Sequence, residues 1–364
     1  MVYLKNLDKE EKKRKLNADV QHIVDNLLKI LPSKPMAILL CGGYGRNEGA
    51  WYKENGVLST YNDYDFVVIT NDVPNPNEID LFRKKMASEV GINWVDLDFC
   101  TKKKLKHLKS TIKSYDLLYG SSLVFGKIDF SDLEKKIKAE YIGEEDLIKL
   151  YRTRIWTFLG AWIGPFRDLD IVEARFFKNQ MAKAILAAVD MFLIKQKKYT
   201  SSYCERASIV LQLFPNDNDL CKLVEWAINE KLYPSSLSMK KKDMMELYFD
   251  AKDLFLKAFG TALNDKAKFF FAPDKTIDYF KKYNQHYLRL LYEKFVNPQY
   301  KYRKIISIFL AQNYVFHALC KTEVNQEFLD KSFKILKKYG YIDENTNFDI
   351  HLIRELTAYA RNNL

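Results

Sequence analysis

The sequence lacks most of the signals that would assign it quickly. Its five cysteines, Cys41, Cys100, Cys204, Cys221 and Cys320, are scattered with no Cys-x-x-Cys spacing. That argues against a cysteine zinc site and against a disulfide framework, and fits a reducing cytosol. No apolar run reaches the roughly 20 residues that a membrane span needs. The longest, Ala184 to Ile194, is interrupted by Asp190. The lysine-rich amino terminus has no apolar h-region, so no secretory leader is expected. A cytoplasmic protein with no membrane partner is the resulting expectation. No Gly-Lys-Ser/Thr closes a glycine-rich loop, so the P-loop pattern is missing. The histidines His22, His107, His286, His317 and His351 show no metal-ligand spacing. No serine or cysteine sits in a nucleophile motif, and there is neither a fixed-period repeat nor a low-complexity segment.

What is present starts with size and charge. A chain of 364 residues suggests about two domains. Apolar residues make up 48% of it, ample for a packed core. The net charge of +11 suits anionic partners. Nucleic acid is one such partner, but it is not favoured, because no dense basic-aromatic platform for stacking bases stands out.

The informative stretch is 37–70. An apolar run, Ala37 to Cys41, ends in Gly42 and Gly43. A polar, glycine-bearing segment follows, and then Asp63 and Asp65, one residue apart, lead into a second apolar run, Phe66 to Ile69. Successive side chains of a strand alternate faces, so Asp63 and Asp65 point the same way. Two carboxylates side by side repel, and a divalent cation removes that repulsion. Hard oxygen ligands on one edge suit Mg²⁺, which keeps sites for water and substrate phosphates. Glycines let the backbone come close to phosphate oxygens, and a following helix N-terminus favours negative charge. A dinucleotide-binding reading uses Gly43, Gly45 and Gly49, with Asp63 about twenty residues on. The order of residues opposes it: both aspartates precede their apolar strand, whereas the ribose-binding acid of that fold follows it.

Gly42-Gly43, a spacer, then Asp63-Tyr64-Asp65-Phe66 resembles the signature of the nucleotidyltransferase superfamily of DNA polymerase β. Cys41 fills its leading hydrophobic position and Gly43 its Gly/Ser position. The spacer is longer than in compact members, which predicts an insertion between Trp51 and Asn62. The resemblance covers about the first third of the chain. It implies two Mg²⁺ ions held by Asp63 and Asp65, an NTP substrate, with ATP expected first, and a third carboxylate on a neighbouring strand. The segment Ile92 to Cys100 offers Asp96, preferred because the third acid starts a strand, with Asp98 as the alternative. The resemblance also implies that Gly42 and Gly43 bring backbone N–H groups to the phosphates, where Arg46 adds charge.

The rest of the chain reads mostly as helix. Residues 8–31 and 77–90 have helical apolar spacing. Thr101 caps a lysine-rich helix over 102–113, read as a solvated face rather than a phosphate contact, with His107 on the surface. Tyr119 to Gly126 reads as the last strand of the sheet. From about 144, helices are expected at 144–163, 170–197, 202–214, 218–231, 240–264, 276–296, 301–321, 326–339 and 349–362. The expected fold class is therefore α+β. A mixed-sheet nucleotidyltransferase domain with flanking helices spans 1–135, and an all-helical, acceptor-binding domain spans 140–364. The expected activity is transfer of an NMP to a hydroxyl of a small-molecule acceptor. The alternatives are a nucleotide-binding or antitoxin-like interaction protein with weak catalysis, or a transferase acting on RNA or protein.

Overall fold

The computed structural model describes residues 9–54, 56–162, 166–283, 301–319, 323–338 and 341–342. The helix expected at 349–362, the later part of 276–296, and His286 and His351 lie outside the described residues. The fold combines a small mixed sheet with many helices. Among the described residues, no helix is long and apolar enough to cross a membrane.

The chain divides into two units. The first joins Met1–Asp146 to Leu193–Leu237, and the second joins Leu147–Phe192 to Ser238–Leu364. A boundary at 135–140 assigns everything after it to one domain. By contacts, the segment Leu193–Leu237 groups instead with the sheet.

In the first unit, helix α1 (Lys9–Ile30) is followed by strand β1 (Ala37–Cys41) and a single helical turn, α2 (Gly42–Gly45). The expected insertion is a hairpin, β2 (Trp51–Glu54) against β3 (Val57–Thr60), with Trp51 opposite Thr60. Strand β4 (Tyr64–Ile69), helix α3 (Pro76–Val90) and strand β5 (Val95–Cys100) form a crossover, so β4 and β5 are parallel. Asn75 accepts a hydrogen bond from the Asn77 amide to start α3, and Gly91, in the left-handed region at φ 75°, ends it. Strand β6 (Ser122–Gly126) completes a four-stranded sheet in the order β5-β4-β1-β6, with β1 antiparallel to both neighbours.

The two faces of this sheet pack differently. Ile38, Leu40, Tyr64, Phe66, Val68, Val95 and Leu97 meet the apolar sides of α1 and α3. Ala37, Leu39, Ile69 and Cys100 on the other face meet Leu105, Leu133 and Ile137.

The lysine-rich segment is not one helix. It forms α4 (Lys102–Lys106) and α5 (Ile112–Tyr119). Thr101 caps α4, and Thr111 starts α5 through a capping box with Ser114. The Ile112 amide also donates to Asp146 Oδ1 at 3.0 Å. These caps outcompete a continuous helix over 102–113. Tyr119 therefore ends a helix, and the last strand begins at Ser122 rather than at Tyr119. A short helix, α6 (Ser131–Glu134), follows, and beyond α7 (Glu144–Ala161) and α8 (Ile171–Lys195) the helices α9 (Tyr203–Leu213) and α10 (Asn218–Leu232) belong to this unit.

The second unit is helical. Its centre is Tyr151, which is fully buried. The Tyr151 ring stacks on Phe259 at 4.1 Å between centroids, and its hydroxyl donates to Asn313 Oδ1 at 2.9 Å. Buried Lys252 donates to the carbonyls of Phe316 and Leu319, both at 2.6 Å, at the end of the helix Lys301–Ala318, where the dipole favours a cation.

Candidate active site

Tyr64 sets which way Asp65 points. Its side chain is fully buried against α1, and its hydroxyl donates to Asp19 Oδ2 at 2.8 Å. Asp19 in turn takes the Lys15 ammonium at 2.6 Å. With Tyr64 committed to one face, strand alternation sends Asp65 to the other, in line with Val67 and Ile69. Asp63 lies just before β4, two positions from Asp65. The loop leading to it is held by buried Tyr44, whose hydroxyl donates to Ala50 O at 2.6 Å and accepts from the amides of Tyr61 at 3.1 Å and Asn62 at 3.3 Å.

In the parallel register of β4 and β5, Asp65 lies directly opposite Asp96. Burial first, then the charges of Asp96 and Asp63, push the Asp65 carboxyl up to about 6, against opposing pulls from Lys231 and Arg46. Three carboxylates thus share one electrostatic neighbourhood. Asp96 is exposed and accepts from Trp94 Nε1 at 2.8 Å. Asp98 stands one step further along, opposite Val67, and forms an ion pair with Lys113.

The glycine corner abuts this acid pair. Cys41, the last residue of β1, is opposite Asp65. Gly42 has φ +65°, and a Cβ there would fall 2.1 Å from Asp65 Oδ2. Only glycine lets the chain turn this close to the carboxylate. Gly43 sits one step back: its carbonyl accepts from the Glu48 amide at 2.8 Å, and it is not among the residues lining the cavity described below. Burial drives the Cys41 thiol up to about 12, with the Asp65 charge adding to it, so Cys41 is an inert spacer and not a nucleophile.

Arg46 reaches the cavity, but not as a free cation. Its side chain is 6% exposed and lies 3.4 Å from Glu48 and 3.6 Å from Asp116. Its guanidinium also stands 4.6 Å from the centroid of the Tyr203 ring. Much of its charge is therefore balanced locally.

Four residues of this neighbourhood carry no local sequence signal. Glu48 reaches across to the start of α9, accepting from Ser202 Oγ at 2.7 Å and from the amides of Tyr203 at 2.9 Å and Cys204 at 3.1 Å. It acts as a helix cap supplied from a distant part of the chain. Burial would raise its carboxyl, but these bonds and Arg46 outweigh that and hold it below the usual range. Asp116 accepts from the Tyr199 hydroxyl at 3.0 Å. Tyr203 is faced by Arg46 and Arg206, each 4.6 Å from its centroid, and by Lys231 at 5.8 Å. Lys231, near the end of α10, is the lysine whose charge acts on Asp65. The helix expected at 202–214 agrees with α9, but nothing local links its start to Glu48.

A cavity of about 560 Å³ opens here, and Asp63, Glu48 and Lys231 are not among the residues that line it. Gly42, Arg46, Asp65, Asp96 and Asp98 line it, with Tyr203 at its side. A space of that size suits a small ligand. Among the described residues, no three Asp, Glu, His or Cys side chains converge as a preformed metal cage. No family model, curated protein or solved structure matches the chain.

Proposed function

We propose that this chain is a Mg²⁺-dependent nucleotidyltransferase, moving an NMP from an NTP, with ATP the first candidate, to a hydroxyl of a small-molecule acceptor. In this reading the sheet-bearing unit is a polymerase-β-like catalytic domain, and the helical unit selects the acceptor. The observation that carries the reading is the register of Asp65 opposite Asp96, with Asp63 two residues away and the Asp65 carboxyl pushed up to about 6.

The residues fit a magnesium site. Asp65, whose affinity for a proton is raised first by burial and then by the Asp96 and Asp63 carboxylates, would gain from a nearby dication. Mg²⁺ is commonly held by one or two carboxylates plus substrate phosphates, so a full protein cage is not required. Asp63, Asp65 and Asp96 would be its holders. When bound, the cation neutralises phosphate charge and makes the acceptor hydroxyl more acidic.

The chain's own groups do the rest. Asp96, the exposed acid, takes the proton of the acceptor hydroxyl. The freed oxygen attacks the α-phosphorus, an O–P bond forms, and the bond to the bridging oxygen breaks, releasing pyrophosphate. Lys231, whose charge already acts on Asp65, adds positive potential on the triphosphate side. Gly42 keeps the turn clear of the Asp65 carboxylate, and Glu48 holds the glycine corner to α9. Asp98, already committed to Lys113, is assigned no part in the chemistry. Catalysis by positioning and charge neutralisation is the general pattern for phosphoryl transfer.

The test supplies α-labelled NTPs and Mg²⁺ with a small-molecule extract. The expected result is a new labelled product with pyrophosphate release, abolished by Asp63→Asn and by Asp65→Asn. Undiminished product from either variant would refute the reading. NTP binding without any product would assign the chain to the nucleotide-binding class instead.

A further inference from the structure

We propose that a second cavity, separate from the acid site, binds a small multivalent oxyanion bearing two or more phosphate groups. This cavity, of about 550 Å³, lies at the other end of the same sheet face. Four lysines line it, Lys102, Lys106, Lys127 and Lys136, above an apolar floor that includes Met36 and Leu133. The acid site sits where Cys41 pairs with Asp65, and the lysine cavity where Ala37 pairs with Ile69 and Gly126. Four residues of strand separate these pairings, about 13 Å.

The backbone holds these lysines in place. Lys102 and Lys106 are one turn apart on α4, flanking buried Leu105. Gly126, at φ +79°, lets β6 end hard against β1, where a Cβ would meet Met36 O at 2.1 Å. The Lys127 amide then donates to Met36 O at 3.1 Å. Lys136 is anchored through its carbonyl, which accepts from Ser110 Oγ at 3.1 Å.

The charge count points to an anion. Some lysines elsewhere have acid partners, such as Lys53 with Glu11 and Lys240 with Asp168. Among the described residues, none of these four has a carboxylate within ion-pair distance. Two acids also line the cavity, Asp129, which accepts from the Ser131 amide at 2.9 Å, and Asp132, which pairs with Lys135 at 3.6 Å, so four lysines against two aspartates leave the lining with a formal charge of about +2. Like charges gathered in a concave, partly apolar site focus a positive potential. Lysine ammoniums bind phosphate as point charges. The volume suits one small molecule. The lysine-rich run 102–113 is thus divided: Lys104 and Lys113 line the acid cavity, while Lys102 and Lys106 line this one.

The proposal does not depend on nucleotidyl transfer and is tested apart from it. Sodium tripolyphosphate is titrated calorimetrically into the full chain in EDTA, so that no cation can recruit it to the acid site. One saturable site per chain is expected, with orthophosphate at least tenfold weaker. Lys102→Ala/Lys127→Ala should weaken tripolyphosphate at least tenfold, and Lys136→Glu should do the same. Asp65→Asn and the control pair Lys84→Ala/Lys85→Ala should leave it unchanged. The proposal is overturned by non-saturable binding, by equal loss in the control pair, or by loss in Lys104→Ala/Lys113→Ala with the cavity variants unaffected. ATP titrated in the same buffer shows whether the anion is carried by a nucleotide: a match to tripolyphosphate would support a nucleotide ligand, and weaker binding a non-nucleoside polyphosphate.

Discussion

The two faces of strand β4 do opposite work. On one, Tyr64, Phe66 and Val68 are almost wholly buried, and the single polar atom, the Tyr64 hydroxyl, is bonded to Asp19. On the other, burial and then the charges of Asp96 and Asp63 oppose the ionisation of Asp65. Alternation along one strand thus couples a stabilising face to a strained one. The Tyr64 face is packed and satisfied, whereas the Asp65 face combines the buried Ile69 with an acid whose ionisation is opposed. Substitutions on the two faces should therefore separate fold from activity.

The largest effect is expected on the acidic face. Asp65→Asn and Asp63→Asn should each lower transfer by about a thousandfold or more, as expected when charge stabilisation of a phosphoryl transition state is lost. The measurement is pyrophosphate release at saturating NTP. Gly42→Ala should come next. The left-handed backbone costs about 1–2 kcal/mol for a residue with a Cβ, and the new methyl would displace the Asp65 carboxylate. A loss of activity of about 10- to 100-fold, with a cooperative urea transition retained, is the expected pair of readings.

Tyr64→Phe probes the other face. It leaves Asp19 with one partner fewer, so stability should fall by about 1–3 kcal/mol in urea unfolding while activity in the surviving fold stays near wild type.

The pH dependence sharpens the contrast. The folded Asp65 carboxyl titrates near 6, above its usual value of 3.8. Below the lower value both states are protonated and the group is neutral to stability. As pH rises the unfolded chain ionises first, so stability falls between the two values by about 2–3 kcal/mol and stays low above 6. Asp65→Asn should abolish that fall, making the metal-free variant more stable than wild type at pH 7.5 and no different at pH 3.5. The smallest effect is expected from Asp98→Asn. Its pairing with Lys113 is exposed and worth less than about 1 kcal/mol, and activity should change less than tenfold.

How much of this was legible in the chain depends on sequence distance. The expected helices 8–31 and 77–90 agree with Lys9–Ile30 and Pro76–Val90 to within a residue, because apolar spacing and caps are local. The face taken by Asp65 follows from strand period, because Tyr64 beside it is buried on the other side. The break at Thr111 was missed because a lysine-rich run has helical propensity, and the competing cap needs a hydroxyl pair three residues apart. Glu48 and Lys231 were beyond reach for a different reason. Each acts across more than 150 residues, on α9 and on Asp65, and long-range pairing of charged side chains leaves no period to read. The same applies to the assignment of Leu193–Leu237 to the sheet-bearing unit, which rests on such contacts.

The sharpest single measurement is calorimetric titration of Mg²⁺ at pH 7.5 in the presence of a non-hydrolysable NTP analogue, comparing wild type with Asp65→Asn. Saturable cation binding in wild type that is lost, or weakened at least tenfold, in the variant is the predicted result. Equal binding by both proteins would contradict the claim that Asp65 and its neighbours form a cation-dependent nucleotide site.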